Sequence, residues 1–309
     1  MGRLRQISWA SGALALVAGG CAEGVVDDPG RPVSTLETPK SAPVESNGGI
    51  GSFSNAIDVS ARCPAVSVDR DALVARTQAF SAKHGVETLV AFEGCPTEKF
   101  VRCNAVTPRE YVSILTFLDQ LESDLEIYPR DFFTTIHLDY VMFGSALETN
   151  DAKGQNLGGA AIPHGDHRSV LYVSTRQARF CNAALNRRTF HHELAHALDM
   201  GMTSVSETGW WPLLNPAGFA YGDVDPNATD LLDIDHPGAA LISRYARASV
   251  GEDHAEVYTA LFMTKDTAQL RGWLREDRWL ASKFRSVIRP LESKWPEFVH
   301  AMPSYDAIP

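Results

Sequence analysis

The sequence predicts an α+β domain in which a mixed sheet lies over one chemistry-bearing helix and a mainly helical lobe follows. Three observations carry this. Short runs with strand character, at residues 87–93, 134–143 and 169–174, all precede residue 189. Residues 189–201 then show a helical apolar period, with Phe190, Leu194, Ala197 and Gly201 on one stripe and His192, His196 and Asp199 nearly opposite. Beyond Phe262 the spacing of Leu270, Trp273, Leu274, Trp279, Leu280, Phe284 and Ile288 is again helical.

At the N-terminus Arg3 and Arg5 precede an apolar run from Ile7 to Ala18, too short to span a bilayer, so residues 1–20 read as a secretory signal. Val17-Ala18-Gly19-Gly20-Cys21 has the small residues of a bacterial lipobox, with Cys21 as the lipidated residue. Ala18 stands where such sites favour a larger aliphatic residue, which leaves plain cleavage and secretion as the alternative. Residues 21–60, with Pro29, Pro32, Pro39, Pro43 and Asn47-Gly48-Gly49, lack an apolar period and read as a flexible tether to one domain over 61–309. In an exported chain the remaining Cys63, Cys95, Cys103 and Cys181 suggest disulfides. The short separation favours Cys95 with Cys103 and leaves Cys63 for Cys181.

The 309 residues are 44% hydrophobic and 21% charged, ample for a sizeable core. A net charge of −10 argues against nucleic acid, and against a membrane except through a lipid anchor at Cys21. Residues 69–84 carry a helical pattern. Thr107-Pro108-Arg109-Glu110 is a capping-box start for a helix to about Leu125, with Tyr111, Ile114, Leu115, Leu118 and Leu121 as its apolar face. The strands at 134–143 and 169–174 are separated by a Gly-rich connection, 144–165, and a peptide could add to the sheet edge as a further strand. His164 and His167 read as members of a solvated loop.

His192-Glu193-Leu194-Ala195-His196 is H-E-x-x-H. Residues four apart on a helix share a face, so His192 and His196 can offer two imidazoles to one zinc ion, with Glu193 beside it as general base. The pattern answers a chemical need, because amide hydrolysis at neutral pH requires a strong nucleophile: zinc lowers the pKa of a coordinated water to about 7 and a carboxylate takes the proton. His191 is expected to pack or cap, and Gly201 to end the helix in a left-handed conformation.

Residues 202–239, with Trp210 and Trp211, have no regular period and suit either a cleft-lining loop or a surface loop anchored by its tryptophans. Asp233, Asp235 and His236 could bind calcium or nothing. A catalytic zinc needs a third protein ligand. The best region is 243–256, opening a helix through Phe262, with Glu252 and Glu256 one turn apart on one face. Asp199 is a rival ligand, better suited to orienting a neighbour.

These two stretches together resemble the gluzincin metallopeptidases of the anthrax lethal-factor-like and Pro-Pro-endopeptidase group. His192-Glu193-Leu194-Ala195-His196-Ala197-Leu198-Asp199 is similar to their active helix, and Tyr245 followed by Glu252 and Glu256 is similar to their downstream Tyr and E-x-x-A-E pattern. The resemblance covers about 70 residues and implies a zincin-like fold, one zinc per chain and a peptide or protein substrate. It implies His192, His196 and Glu252 as ligands, Glu193 as base, Tyr245 as hydrogen-bond donor to the developing oxyanion, and Glu256 as a carboxylate standing behind the ligands. A tyrosine hydroxyl suits that task on physical grounds, since it donates without adding charge. The alternative is a surface-binding lipoprotein that keeps the fold without turnover. A purely structural zinc fits poorly, because closed sites use four ligands rich in cysteine.

Overall fold

The computed structural model describes residues 63, 66–96, 100–150, 154, 157–165, 168–175, 181–203, 209–222, 224 and 232–309. The signal, Cys21, the tether, His167 and part of the 202–239 segment lie outside the described residues.

Helix α1 (Arg70–His84) begins where the Asp69 side chain accepts from the Ala72 amide, at 2.7 Å, and ends at Gly85, whose φ of 71° is the left-handed stop that the expected range implied. Strand β1 (Glu87–Val90) follows, then β2 (Val101–Asn104), which the sequence reading missed. At the start of α2 (Tyr111–Leu125) the expected capping box forms: the Glu110 carboxylate accepts from Thr107 N–H at 2.8 Å, and Pro108–Glu110 make a short 3₁₀ turn before the helix proper.

Residues 134 and 135, expected to open a strand, instead belong to a short helix, α3 (Phe132–Thr135). Packing overrides local β preference there: Phe132 and Phe133 are both buried, and Phe132 contacts Tyr128, Trp295 and Phe298. After His137, with φ at 57°, strand β3 (Leu138–Thr149) runs past the expected end at Phe143 and consumes part of the supposed connection. The rest of that connection holds β4 (Gly159–Pro163), and β5 (Ser169–Ser174) has its expected bounds.

The sheet order is β1-β3-β5-β4, with β2 antiparallel to the far end of β3. Strands β1, β3 and β5 are parallel while β4 is antiparallel to β5, so the sheet is mixed and β4 forms its edge on this path. Alternation divides its side chains between two cores. Val141, Phe143, Ala161, Leu171 and Val173 face the helices, whereas Met142, Ala160, Ile162, Val170 and Tyr172 form a smaller cluster with Val101 and Leu147.

Helix α4 (Ala183–Leu198) is started by Asn182, whose side chain accepts from Leu185 N–H at 2.9 Å. It passes into a π-helical turn, Asp199–Thr203, and does not stop at a left-handed glycine. Gly201 has a different reason to be there: a Cβ at this position would lie 2.0 Å from the Ile136 carbonyl oxygen. Cys63 joins Cys181, one residue before the α4 cap, and Cys95 joins Cys103, the expected pairing.

Helix α5 (Val250–Met263), capped by Ser249, packs against α4 and is buried from Glu252 through Phe262. Helices α6 (Thr267–Glu276), α7 (Arg278–Lys294) and α8 (Pro296–His300) form the expected closing lobe; α7 runs through Pro290 to Lys294. Among the described residues no helix is long and apolar enough to cross a membrane.

The described part of the irregular segment is a packed loop anchored by Trp211, which is fully buried. Its indole N–H donates to Asp253 Oδ2 at 2.8 Å, and Tyr221 Oη donates to the same oxygen at 2.7 Å. Lys283 of α7, also fully buried, donates to Asp253 Oδ2 (2.5 Å), Asn215 Oδ1 (2.6 Å) and the Ala240 carbonyl (2.7 Å). Three acceptors match the three N–H bonds of an ammonium. Burial pulls the Lys283 pKa down and pushes the Asp253 pKa up, and each charge is retained through the other. Removing one partner leaves an uncompensated buried charge, so Lys283→Met should lose about 3–5 kcal/mol of unfolding free energy. Urea denaturation checks this, and a loss below about 1 kcal/mol would refute the clamp.

Candidate metal centre

The site lies where α4 meets α5. Helical spacing places His192 and His196 one turn apart on α4, and α5 brings Glu252 against them. His192 Nε2 and His196 Nε2 are 3.2 Å apart, Glu252 Oε2 is 2.9 Å from the first and 3.6 Å from the second. Among the described residues these three are the group able to hold a metal ion. Glu252 Oε2 is buried and makes no aligned hydrogen bond despite those short contacts, so the three atoms converge on a common point without satisfying one another.

Two imidazoles and a carboxylate are a donor set suited to zinc, and atoms about 2.0–2.1 Å from one tetrahedral ion stand roughly 3.3–3.4 Å apart. The observed separations straddle that spacing. The residues present therefore fit zinc with a position left open.

Behind them, Glu256 Oε1 lies 2.8 Å from His192 Nδ1, which fixes the ring so that Nε2 faces the cluster. The other Glu256 oxygen accepts from Arg188 and from Ser243 Oγ, the latter at 2.7 Å. Burial opposes charge throughout. At Glu256 it is outweighed by Arg188 and His192, and the pKa is lowered. At Glu252 it is outweighed by His196 and His192, holding the carboxyl well below the usual range. At His192 it is outweighed by Glu252 and Glu256, which push the imidazole up to about 10.

Glu193, half-buried, points toward the sheet edge, where Ala161 N–H donates to its Oε2 at 3.0 Å. Burial raises its pKa against the lowering effect of His192 and His196. Tyr245, in the 3₁₀ turn Tyr245–Arg247, is 5% exposed and its ring centre is 5.7 Å from that of His192. Burial, with Glu252 and Glu193 nearby, raises its pKa far above the ordinary value, so the hydroxyl is a donor at neutral pH.

Asp199 is not brought into the three-atom cluster; it sits at the α4 terminus and acts electrostatically on His254. His191 turns away from the cluster, its Nδ1 3.1 Å from Tyr128 Oη and its Nε2 3.0 Å from Asp124 Oδ2, with its ring stacked on Phe262 at 3.9 Å. No metal group forms around Asp233, Asp235 and His236 among the described residues; His236 Nε2 lies 3.1 Å from Asp277 Oδ2. His164 pairs with Asp139 at the surface.

Arg188, Ser243 and Ala161 were missed by sequence reasoning. Arg188 carried a usable signal, since it stands four residues before His192 and so shares its face. Nothing in the sequence marks the Ala161 amide.

No family model and no curated protein matches the chain. A crystal structure of a proposed zinc-binding metallo-peptidase from Bacteroides caccae is similar over 78% of this chain and 96% of that one, at 13% identity and a TM-score of 0.46. So distant a likeness decides neither family nor chemistry, and the site is read from its own geometry.

Elemental analysis after dialysis against metal-free buffer should find about one zinc per wild-type chain, as much in Glu193→Gln, and much less in Glu252→Ala. Equal loss in both variants would overturn the division into ligand and non-ligand.

Proposed function

We propose that this chain is a zinc-dependent endopeptidase that hydrolyses peptide bonds, exported and anchored through Cys21. The observation that carries the reading is the convergence of His192, His196 and Glu252 in one cluster, with Glu193 following His192 in the helix and Tyr245 packed against the His192 ring. The likeness of these residues to the lethal-factor-like gluzincins supports the same assignment. A zinc ion bound there would supply a Lewis acid that polarises the scissile carbonyl and acidifies water.

The chain's own groups do the rest. Glu193 takes the proton of the attacking water at its carboxylate and passes it to the departing amine; burial, which raises its pKa, makes it a better base than an exposed glutamate. Tyr245 Oη, kept protonated, donates to the oxygen on which negative charge develops. Glu256 holds the His192 ring, and Arg188 offsets the Glu256 charge. The substrate is a peptide or protein segment in extended form, laid along the edge strand β4.

Peptide-library cleavage by the zinc-loaded protein tests this. Glu193→Gln should lose about 10²–10⁴-fold in kcat/KM and Tyr245→Phe about 10²–10³-fold, both at unchanged zinc content. A zinc-loaded wild type that cleaves no library peptide, yet binds one, would replace the peptidase with the surface-binding protein.

A further inference from the structure

Strand β4 does more than border the cleft. Its backbone alternates, so neighbouring residues direct their amides to opposite sides. The Gly158 carbonyl accepts from Ser174 N–H of β5 at 2.9 Å, and the His164 amide donates to the Arg168 carbonyl at 2.8 Å, so the even-numbered positions face the sheet. Gly159, Ala161 and Pro163 face away from it. Of these Pro163 has no N–H, and the Ala161 N–H is spent on Glu193 Oε2 at 3.0 Å.

The same stretch shows a second, steric fit to the same side chain. A Cβ on Gly159 would lie 2.7 Å from Glu193 Cγ, 3.1 Å from Glu193 Oε1 and 3.0 Å from Thr189 Cγ2. Thr189 and Glu193 are one turn apart on α4, so Gly159 sits in the groove between them. Gly159 is not among the glycines with positive φ, so its backbone conformation is open to any residue; space alone requires a glycine. The clash would fall on Cγ, not on the far end of the chain, and the whole carboxylate would have to move.

We propose that Gly159 and Ala161 of the edge strand are positioning residues for Glu193, Gly159 by leaving room for its side chain and Ala161 by gripping Oε2 through the backbone amide. The role of Glu193 as base belongs to the reading given above; the grip itself does not depend on it. The carboxylate is held by an element that also borders the substrate cleft, so its orientation is set before substrate arrives. An incoming strand meets reduced donor capacity on this edge, since the Ala161 amide is occupied and the next outward position is proline.

Residue-resolved amide hydrogen exchange on the purified protein tests the grip, with zinc analysis and melting temperature as controls. In the wild type the Ala161 amide, on an outward edge, should exchange slowly. In Glu193→Ala it should exchange at least about tenfold faster, while Ala160 and Ile162, facing β5, are unchanged. Gly159→Ala should reproduce that local acceleration at unchanged zinc content, and on a peptide that the wild type cleaves should lower kcat at least about tenfold at similar KM. Unchanged Ala161 exchange in Glu193→Ala would overturn the proposal even if Gly159→Ala fails to fold. Wild-type kcat in a folded Gly159→Ala would overturn it as well. If exchange behaves as expected but no peptide is cleaved, the grip stands and the peptidase reading falls.

Discussion

The constraint on which the molecule depends is the burial of charge between α4 and α5. Glu252 and Glu256 lie in a helix buried through its central turns, and neither could stay ionised there alone. His192, His196 and Arg188 on the facing helix make it possible. Because each carboxylate needs its partner at contact distance, the two helices have one register open to them. That register is also the one that makes three ligand atoms converge.

A second buried pair on another face of α5 serves a different end. Asp253 follows Glu252 in sequence, so its side chain leaves the helix about 100° away and meets Lys283, Trp211 and Tyr221 instead of the histidines. Consecutive acids thus belong to separate networks, one able to hold a metal and one pinning an irregular loop and α7 to the same helix. In its described part the loop has a single 3₁₀ turn, Trp211–Leu214, and a few backbone hydrogen bonds, and buried side chains tie it to the helices. On the other flank of α4, β4 meets the helix through a backbone amide and a missing side chain, at Ala161 and Gly159. The candidate centre is therefore braced on both sides by elements other than those that supply its ligands.

Much of this was legible residue by residue. The helix at 70–84, the capping box at Thr107 and Glu110, and the bounds of β5 follow from signals that act within a few residues, so local pattern suffices. Failures came where distant contacts outweighed local preference. Residues 134 and 135 read as the start of a strand but belong to a helix that buries Phe132 and Phe133, with Phe132 against Tyr128, Trp295 and Phe298. Strands β2 and β4 are short, β4 holding a glycine, two alanines and a proline, and a strand so poor in β-formers is specified by its neighbour β5. Gly201 was assigned a left-handed stop from position alone, whereas its place is set by a carbonyl 65 residues earlier in the chain, at Ile136.

By itself the sequence determined which atoms could act: a four-residue spacing fixes two imidazoles to one face of any helix that forms, and no tertiary contact is needed to know it. It determined the fold class too, since the order of strand-like and helical periods survives errors in their ends. The resemblance implied Glu252 as the acid beside those imidazoles, but only the tertiary structure brought Glu252 to their Nε2 atoms and Glu256 to the far nitrogen of His192. That placement depends on the rotation of one helix against another, a property of packing between segments about 60 residues apart to which local periodicity is blind. It alone also revealed the hold on Glu193, because a backbone amide is present at nearly every residue and its direction is set by which strand it pairs with.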